Sequence, residues 1–460
     1  VNAEKNSKRE NASSQTDRLV RFMHKELAGT DPLPLQSSLE KLHAADIADT
    51  LARLTDEERE KLFHLLDEKT AAEVLDDLDS ATQAEIIEDL GLAELADIVG
   101  AMPLDEAADI LGELEEDELL SVLEKLESDD SQEVKQLLTY GEETAGGIMT
   151  PEFFAVSPHE TAAQVTDQLR QEALQDEIFY VYVIDTGNHL LGTVPLRRLV
   201  TAPKNQPVQE LMRSDVVTVP ADMDQEDAAR LAVKYDLLAL PVVDSEGRVL
   251  GRITVDDLME VLEEEASEDI LTLAGTGEEA LENRSVLSLA KVRIPWLLLC
   301  LAGSVLSAMV LERFNATLSQ AMALAFFIPA IMAMGGNSGI QTSTIVVRGL
   351  GTGAIRPKQL PGILVREMRV VAVIGILCGL LVSVAAQLLT GTWIFGVIVG
   401  LSLASAMAVA VAGGVLWPML CNSLGIDPAI AAGPFITTTN DITGLLIYFL
   451  IASALLRVFG

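Results

Sequence analysis

Hydrophobic and polar residues alternate by three different rules along the 460 residues. From 17 to 140, apolar residues recur three and four apart in short stretches, with Asp, Ser and Thr at their starts. That pattern predicts many short amphipathic helices. A loose repeat runs through them: Leu42-His-Ala-Ala-Asp46-Ile-Ala-Asp49, then Leu92-Ala-Glu-Leu-Ala-Asp97-Ile, then Leu104-Asp105-Glu-Ala-Ala-Asp109-Ile-Leu. Such helix units stack into a superhelix, each covering its neighbour's apolar face. From 147 to 265 the pattern shortens to strand-like runs, Phe153–Val156, Phe179–Ile184, Val216–Val219 and Leu240–Val243, alternating with helical stretches. Beyond 293 the chain is apolar over membrane-length segments, roughly Ile294–Leu311, Leu318–Val347, Val370–Leu389, Trp393–Leu420 and Pro428–Leu456.

The middle region is duplicated. Met149-Thr-Pro with Val156-Ser-Pro is matched by Met212-Arg-Ser with Val219-Pro; Tyr182-Val-Ile-Asp185 followed by Leu191-Gly192 is matched by Val242-Val-Asp244 followed by Leu250-Gly251. The order of strand, helix, strand pair and helix therefore holds twice, and the stretch resembles a tandem pair of cystathionine-β-synthase (CBS) domains. That family implies a regulatory module that often binds nucleotides or ions. Glu263 to Val292 reads as a helical connection that begins acidic and ends with Arg284 and Lys291. The expected organisation is a multidomain membrane protein: a disordered tail at 1–16, an all-α superhelical domain at 17–145, an α/β CBS pair at 146–206 and 207–265, a connecting helix at 266–292 and five helical spans at 293–460. The polar start, Val1 to Thr16, has no apolar core and does not read as a signal peptide.

Charge divides the chain sharply. Residues 1–283 hold 22 basic and 65 acidic residues, a net of −43, whereas 284–460 hold ten basic and four acidic residues. So acidic a module lacks the Lys and Arg that nucleic-acid phosphates require, and it attracts cations. In the membrane half, Arg284, Lys291, Arg293, Arg348, Arg356, Lys358, Arg366 and Arg369 fall on one side and only Arg313 and Arg457 on the other. The positive-inside rule then makes the acidic module cytoplasmic and the C-terminus external. Cys300, Cys378 and Cys421 have no CxxC spacing, so neither a disulfide framework nor a zinc site is indicated. No GxxxxGK[ST] loop occurs, and nothing points to an enzyme.

Chemistry concentrates at Asp441, the one acid in the last apolar segment, inside Thr437-Thr-Thr-Asn-Asp441-Ile-Thr-Gly444. A carboxylate at membrane depth costs at least about 2–3 kcal/mol unless it meets water, a partner or a cation, and such acids mark ion pathways; the alternative is a hydrogen bond that packs one helix on another. Gly335-Gly336-Asn337-Ser338-Gly339 in the second segment is a polar, small-residue run, tolerated at that depth where it lines a cavity or packs closely. The Thr437 carbonyl lies one turn before Asp441 on the same face.

Taken together, Gly335 to Gly349 and Asp427-Pro-Ala-Ile-Ala-Ala-Gly-Pro434 to Asp441 resemble the MgtE family of magnesium channels, and the resemblance covers nearly the whole chain. It implies a homodimer in the lipid bilayer that imports Mg²⁺, with Asp441 as the selective acid and Thr437, Asn337, Gly336 and Gly444 around the pore. It also implies Mg²⁺-binding acids that close the pore: Asp105 and Asp109 facing Asp257 and Glu260, with Glu226, Asp236, Glu265, Glu268 and, near the connecting helix, Asp427. Some relatives are thought to bind ATP. Here Thr254-Val-Asp256-Asp257 keeps the hydroxyl and acid used for ribose and phosphate, whereas Pro195-Leu-Arg197-Arg198 lacks both and offers only Arg197 and Arg198 to phosphates. Two other readings stay open: a Na⁺- or H⁺-coupled divalent exchanger, and a membrane-anchored CBS sensor.

Overall fold

The computed structural model describes residues 19–21, 23–24, 39, 41–171, 178–277, 286–431 and 433–459. The expected tail at 1–16 and the stretch 278–285 of the expected connection, including Arg284, lie outside the described residues. The chain divides into two units, Val1–Glu263 and Glu264–Gly460.

In the first unit, eight helices of 8–10 residues follow one another from Ala44–Leu51 to Ser128–Leu137. Each runs about two to three turns, and some begin at a capping side chain. Asp67 accepts the Thr70 amide at 3.0 Å and Asp79 accepts that of Thr82 at 3.1 Å, each satisfying an otherwise orphaned amide. Ala44–Leu51 packs on Glu68–Asp76, which packs on Leu92–Val99, which packs on Glu116–Leu123. This is the expected stacked repeat.

Two three-stranded sheets follow, with identical topology. β1 (Ala155–Val156) lies parallel to β2 (Tyr180–Ile184), which pairs antiparallel with β3 (Leu190–Pro195). β4 (Val219–Pro220), β5 (Ala239–Val243) and β6 (Val249–Thr254) repeat the arrangement. The repeated Leu-Gly pair now has a cause. The segment before the second sheet crosses β3 at Thr193–Arg213, and the segment before the first crosses β6 at Thr150–Arg252. A Cβ at Gly192 would lie 2.6 Å from the Arg213 carbonyl oxygen, and one at Gly251 would lie 2.5 Å from that of Thr150. Met212 and Met149 cover the two glycines in turn. The apolar faces of the superhelix join those of the second sheet and its helices in one core containing Leu111, Met149, Ala229 and Val261.

The second unit has five helices long and apolar enough to cross a membrane: Leu289–Arg313, Met322–Gly351, Pro357–Thr390, Trp393–Ser423 and Pro428–Phe459. Two boundaries correct the sequence expectation. The apolar run from Leu318 breaks at Ala321 (φ −139°), and an α-helix restarts at Ile328, with Pro329 in its first turn. The third helix starts near Leu360, not Val370. Arg366 and Arg369 sit on it, because Arg366 pairs with the buried Glu367 at 3.0 Å and long basic side chains reach past an apolar surface. The connection differs too: helix Val255–Ala274 ends at Gly275, whose φ is +75°.

Glycine sets the interhelical distances. Gly375 and Gly379 of Leu360–Thr390 face Gly400 and Ala404 of Trp393–Ser423, Gly396 lies against Ser383, and a Cβ at Gly379 would sit 2.8 Å from the Gly400 carbonyl oxygen. Lengthening that residue forces the backbones apart, and overpacking of this kind costs about 1–3 kcal/mol. Gly379→Val should therefore melt several degrees lower in detergent than wild type, while Gly362→Ala, whose Cβ meets nothing within 4 Å, should match it. Equal melting of both variants and wild type would reject the contact.

Candidate functional site

Asp441 lies two turns into helix Gly433–Phe459 and is half-buried in the single chain. Among the described residues no hydrogen bond or ion pair engages its carboxylate. The surroundings are built by close helix contact. Gly336 is buried and faces this helix, its Cβ position 3.8 Å from both the Thr437 methyl and the Asn440 amide nitrogen. Gly444 is buried, with its Cβ position 3.8 Å from Asn440 Oδ1. Thr437 turns its hydroxyl onto its own helix, donating to Pro434 O at 3.0 Å. Its carbonyl is the intrahelical acceptor for Asp441 N–H, so one lone pair is left for an ion's water shell. Asn337 is exposed on the single chain; Gly335 and Gly336, not Asn337, meet the acid-bearing helix.

Asn440 was not foreseen. It is 2 % exposed, its Nδ2 donates to the Met332 carbonyl at 3.1 Å, and its Oδ1 meets no protein donor among the described residues. A buried acceptor left unmatched costs about 1–3 kcal/mol. The polar island around Asp441 was the signal that could have found it.

The first turn of the same helix carries a second close contact. Gly433 has φ +36°, and any Cβ there would strike the Leu273 carbonyl oxygen. Gly275 similarly presses on Pro434, with its Cβ position 2.6 Å from the ring. Leu273 packs with Val347 and Ala429. The end of the connecting helix thus rests on the start of the helix that holds Asp441. Asp427 is exposed beside this contact and accepts the Ala429 amide at 2.8 Å, capping the turn Pro428–Ala431.

In the first unit the acids cluster. Asp105 is buried in the first turn of helix Leu104–Gly112, with Asp109 exposed one turn on. Asp257 accepts the Thr254 amide at 2.9 Å and its hydroxyl at 2.6 Å. The centre of the cluster is Asp76, which sequence reasoning missed. Burial of its carboxyl, then the charges of Glu260 and Asp77, push it up to about 7; a hydrogen bond with Glu106 opposes the rise and Asp257 adds to it. Burial and the charges of Asp257 and Asp77 raise Glu260 as well. Water reaches both residues, so solvent and salt moderate the repulsion. Asp76 and Asp77 stand at the C-terminal end of helix Glu68–Asp76, where the helix dipole disfavours anions. Two acids at that end are the signal that could have marked them.

The remaining expected residues lie elsewhere. Glu226 forms an ion pair with Arg230. Asp236 caps helix Gln225–Tyr235 in the left-handed region at φ +52°. Glu265 and Glu268 lie on helix Val255–Ala274. Arg197 and Arg198 are exposed on the short helix Leu196–Thr201. Among the described residues no three His, Cys, Asp or Glu side chains converge tightly enough to coordinate a metal ion directly.

Residues 328–451 match the divalent cation transporter domain MgtE, 42–143 the MgtE intracellular N domain, and 145–205 and 208–264 the CBS domain. The magnesium transporter MgtE of Thermus thermophilus is 38 % identical over 331 residues, 71 % of this chain and 73 % of that protein. That of Enterococcus faecalis is 37 % identical over 329 residues, 71 % of this chain and 72 % of its own length. The crystal structure of the cytosolic domain of the Mg²⁺ channel MgtE in complex with ATP superposes with a TM-score of 0.50 and 36 % identity, covering 53 % of this chain and 99 % of that one. With its N domain, CBS pair and apolar helices matched in order, the chain belongs to the MgtE family of magnesium transporters.

Proposed function

We propose that this chain is a Mg²⁺ channel of a bacterial inner membrane whose pore passes Asp441, and that cytosolic Mg²⁺ closes it. The observation that carries the reading is the Asp441 carboxylate, in a membrane-length helix whose neighbouring residues Thr437 and Asn440 meet Gly335 and Gly336, and with no protein partner among the described residues. In a two-fold dimer, two such carboxylates match the charge of one divalent ion. Thr437, Gly336 and Gly444 shape the space beside it, and Asn337 faces outward toward a second copy. Inward movement needs no chemical energy, because a dication gains about 4.6 kcal/mol per 100 mV, twice the single-charge value. The relatives bear the name magnesium transporter. The N-terminal domains are cytosolic and the C-terminus external.

Closure follows from the acids. Asp76, Asp77 and Glu106 of the superhelix stand against Asp257 and Glu260 of the second CBS domain at an electrostatic cost. A hydrated Mg²⁺ bridging them removes the cost, so the ion favours the docked arrangement through differential contacts. Asp105 and Asp109 extend the same face; Glu226, Asp236, Glu265, Glu268 and Asp427 are further acids available to regulatory ions. For ATP the two CBS domains differ: the second keeps Thr254 and Asp257, hydrogen-bonded to each other, whereas the first offers Arg197 and Arg198 with neither hydroxyl nor acid.

Asp441→Ala should abolish Mg²⁺ uptake in a transport-deficient strain while the protein still reaches the membrane; uptake at the wild-type rate would reject the pore assignment. The pH dependence has a defined sign. Asp76 has a higher pKa in the docked state than in a separated one, so docking takes up a proton. Stability of the docked state therefore falls as pH rises from about 4 to about 7. In Mg²⁺-free buffer the cytoplasmic half should become more protease-sensitive across that window, and Asp76→Asn should flatten the dependence. A variant with the wild-type pH profile would remove Asp76 from the gate. Mg²⁺ should restore protease resistance, and neutralising Asp76 and Glu260 together should shift the Mg²⁺ midpoint; an unmoved midpoint would reject bridging at this cluster.

A further inference from the structure

We propose that Asn440 is a positioning residue that sets the direction of Asp441, an inference that rests on Asp441 being the pore acid. Its side chain clamps helix Gly433–Phe459 to helix Ile328–Gly351. The Nδ2 donates across the interface to Met332 O at 3.1 Å. Three glycines make the space for the amide. A Cβ at Gly335 would fall on Oδ1 and lie 2.8 Å from Nδ2, while those at Gly336 and Gly444 would stand 3.8 Å from Nδ2 and Oδ1.

One turn earlier, Ile436 fills a second notch, where a Cβ at Gly339 would lie 2.7 Å from its methyl. That contact is apolar and tolerates rotation and slip. The amide does not: it must meet one carbonyl in one glycine-walled slot. Adjacent helical residues are about 100° apart in direction and 1.5 Å apart along the axis. Fixing Asn440 in the notch therefore fixes both the azimuth and the depth of Asp441. Simple packing would be better served by an apolar side chain, since Oδ1 has no protein donor among the described residues. The amide orientation is set by the Met332 carbonyl, which a flipped Oδ1 would repel.

Four full-length proteins test this: wild type, Gly335→Ala, Asn440→Ala and the double variant. The first readout is melting in detergent. Gly335→Ala alone should lose about 5 °C or more, because its methyl collides with the amide, and adding Asn440→Ala should recover most of that loss. Additive losses would overturn the clamp. The second readout is Mg²⁺ flux into vesicles. In Asn440→Ala and in the double variant, the Mg²⁺ concentration for half-maximal flux should rise about tenfold and the preference over Ca²⁺ should fall, with the maximal rate within about threefold of wild type. A double variant with recovered melting and wild-type half-saturation would make Asn440 a space-filler and overturn the positioning role. If wild type itself moves no Mg²⁺, the transport reading fails, and with it the role assigned to Asn440, whereas the melting cycle still decides the clamp.

Discussion

An anion in a membrane-length helix has to be held by something, and the second unit is arranged around that constraint. The helices around Asp441 approach through glycine, at Gly335, Gly336, Gly339 and Gly444, so that backbone and small side chains meet where larger residues would fill the space. Bulk is placed away from it. Tyr448, two turns further along, is fully buried and donates to the Leu324 carbonyl at 2.8 Å, and Phe449 stacks on Phe314 with centroids 5.5 Å apart. Aromatic packing thus flanks the polar stretch Thr437–Asp441, with Phe435 against Trp417 before it and Tyr448 and Phe449 after it.

The first unit solves a related problem in water. Its helices expose many acids, and most are ordinary solvated faces or caps, as Asp67 and Asp79 are. Asp76 differs because it is brought against acids of another domain by the apolar core that the superhelix shares with the second CBS domain. Hydrophobic burial pulls the domains together and charge pushes them apart. An assembly balanced between two such terms responds to small changes in either. Leu273 and Gly433 give the second unit a matching contact at the start of the Asp441 helix.

Much of this was legible before the structure. The change of period from 3.6 to 2 and then to unbroken apolar runs separated superhelix, CBS pair and membrane helices, and the doubled Leu-Gly pair marked where the two sheets' flanking segments cross. Asp441 stood out because a lone acid in an apolar segment has no ordinary explanation. Other features were hidden for physical reasons. The break at Ala321 follows Ser319 and Gln320, two polar residues that a helix accommodates, so hydropathy averaged over the span does not register it. Arg366 and Arg369 read as a loop because the sequence does not show that Arg366 pairs with buried Glu367. Asp76 looked like its many acidic neighbours, marked only by its place beside Asp77 at a helix end, and the acids that raise its pKa come from another domain. Asn440 was overshadowed by the charge beside it; its value lies in a carbonyl 108 residues away.

The most direct test of the central claim is the current carried by purified protein in a voltage-clamped bilayer with Mg²⁺ as the only permeant cation on both sides. The account predicts a current whose reversal potential follows the Mg²⁺ gradient, which shuts as Mg²⁺ on the side of the N-terminal domains rises, and which is absent in Asp441→Asn. A current that needs Na⁺ or a proton gradient, or one that survives unchanged in Asp441→Asn, would contradict it.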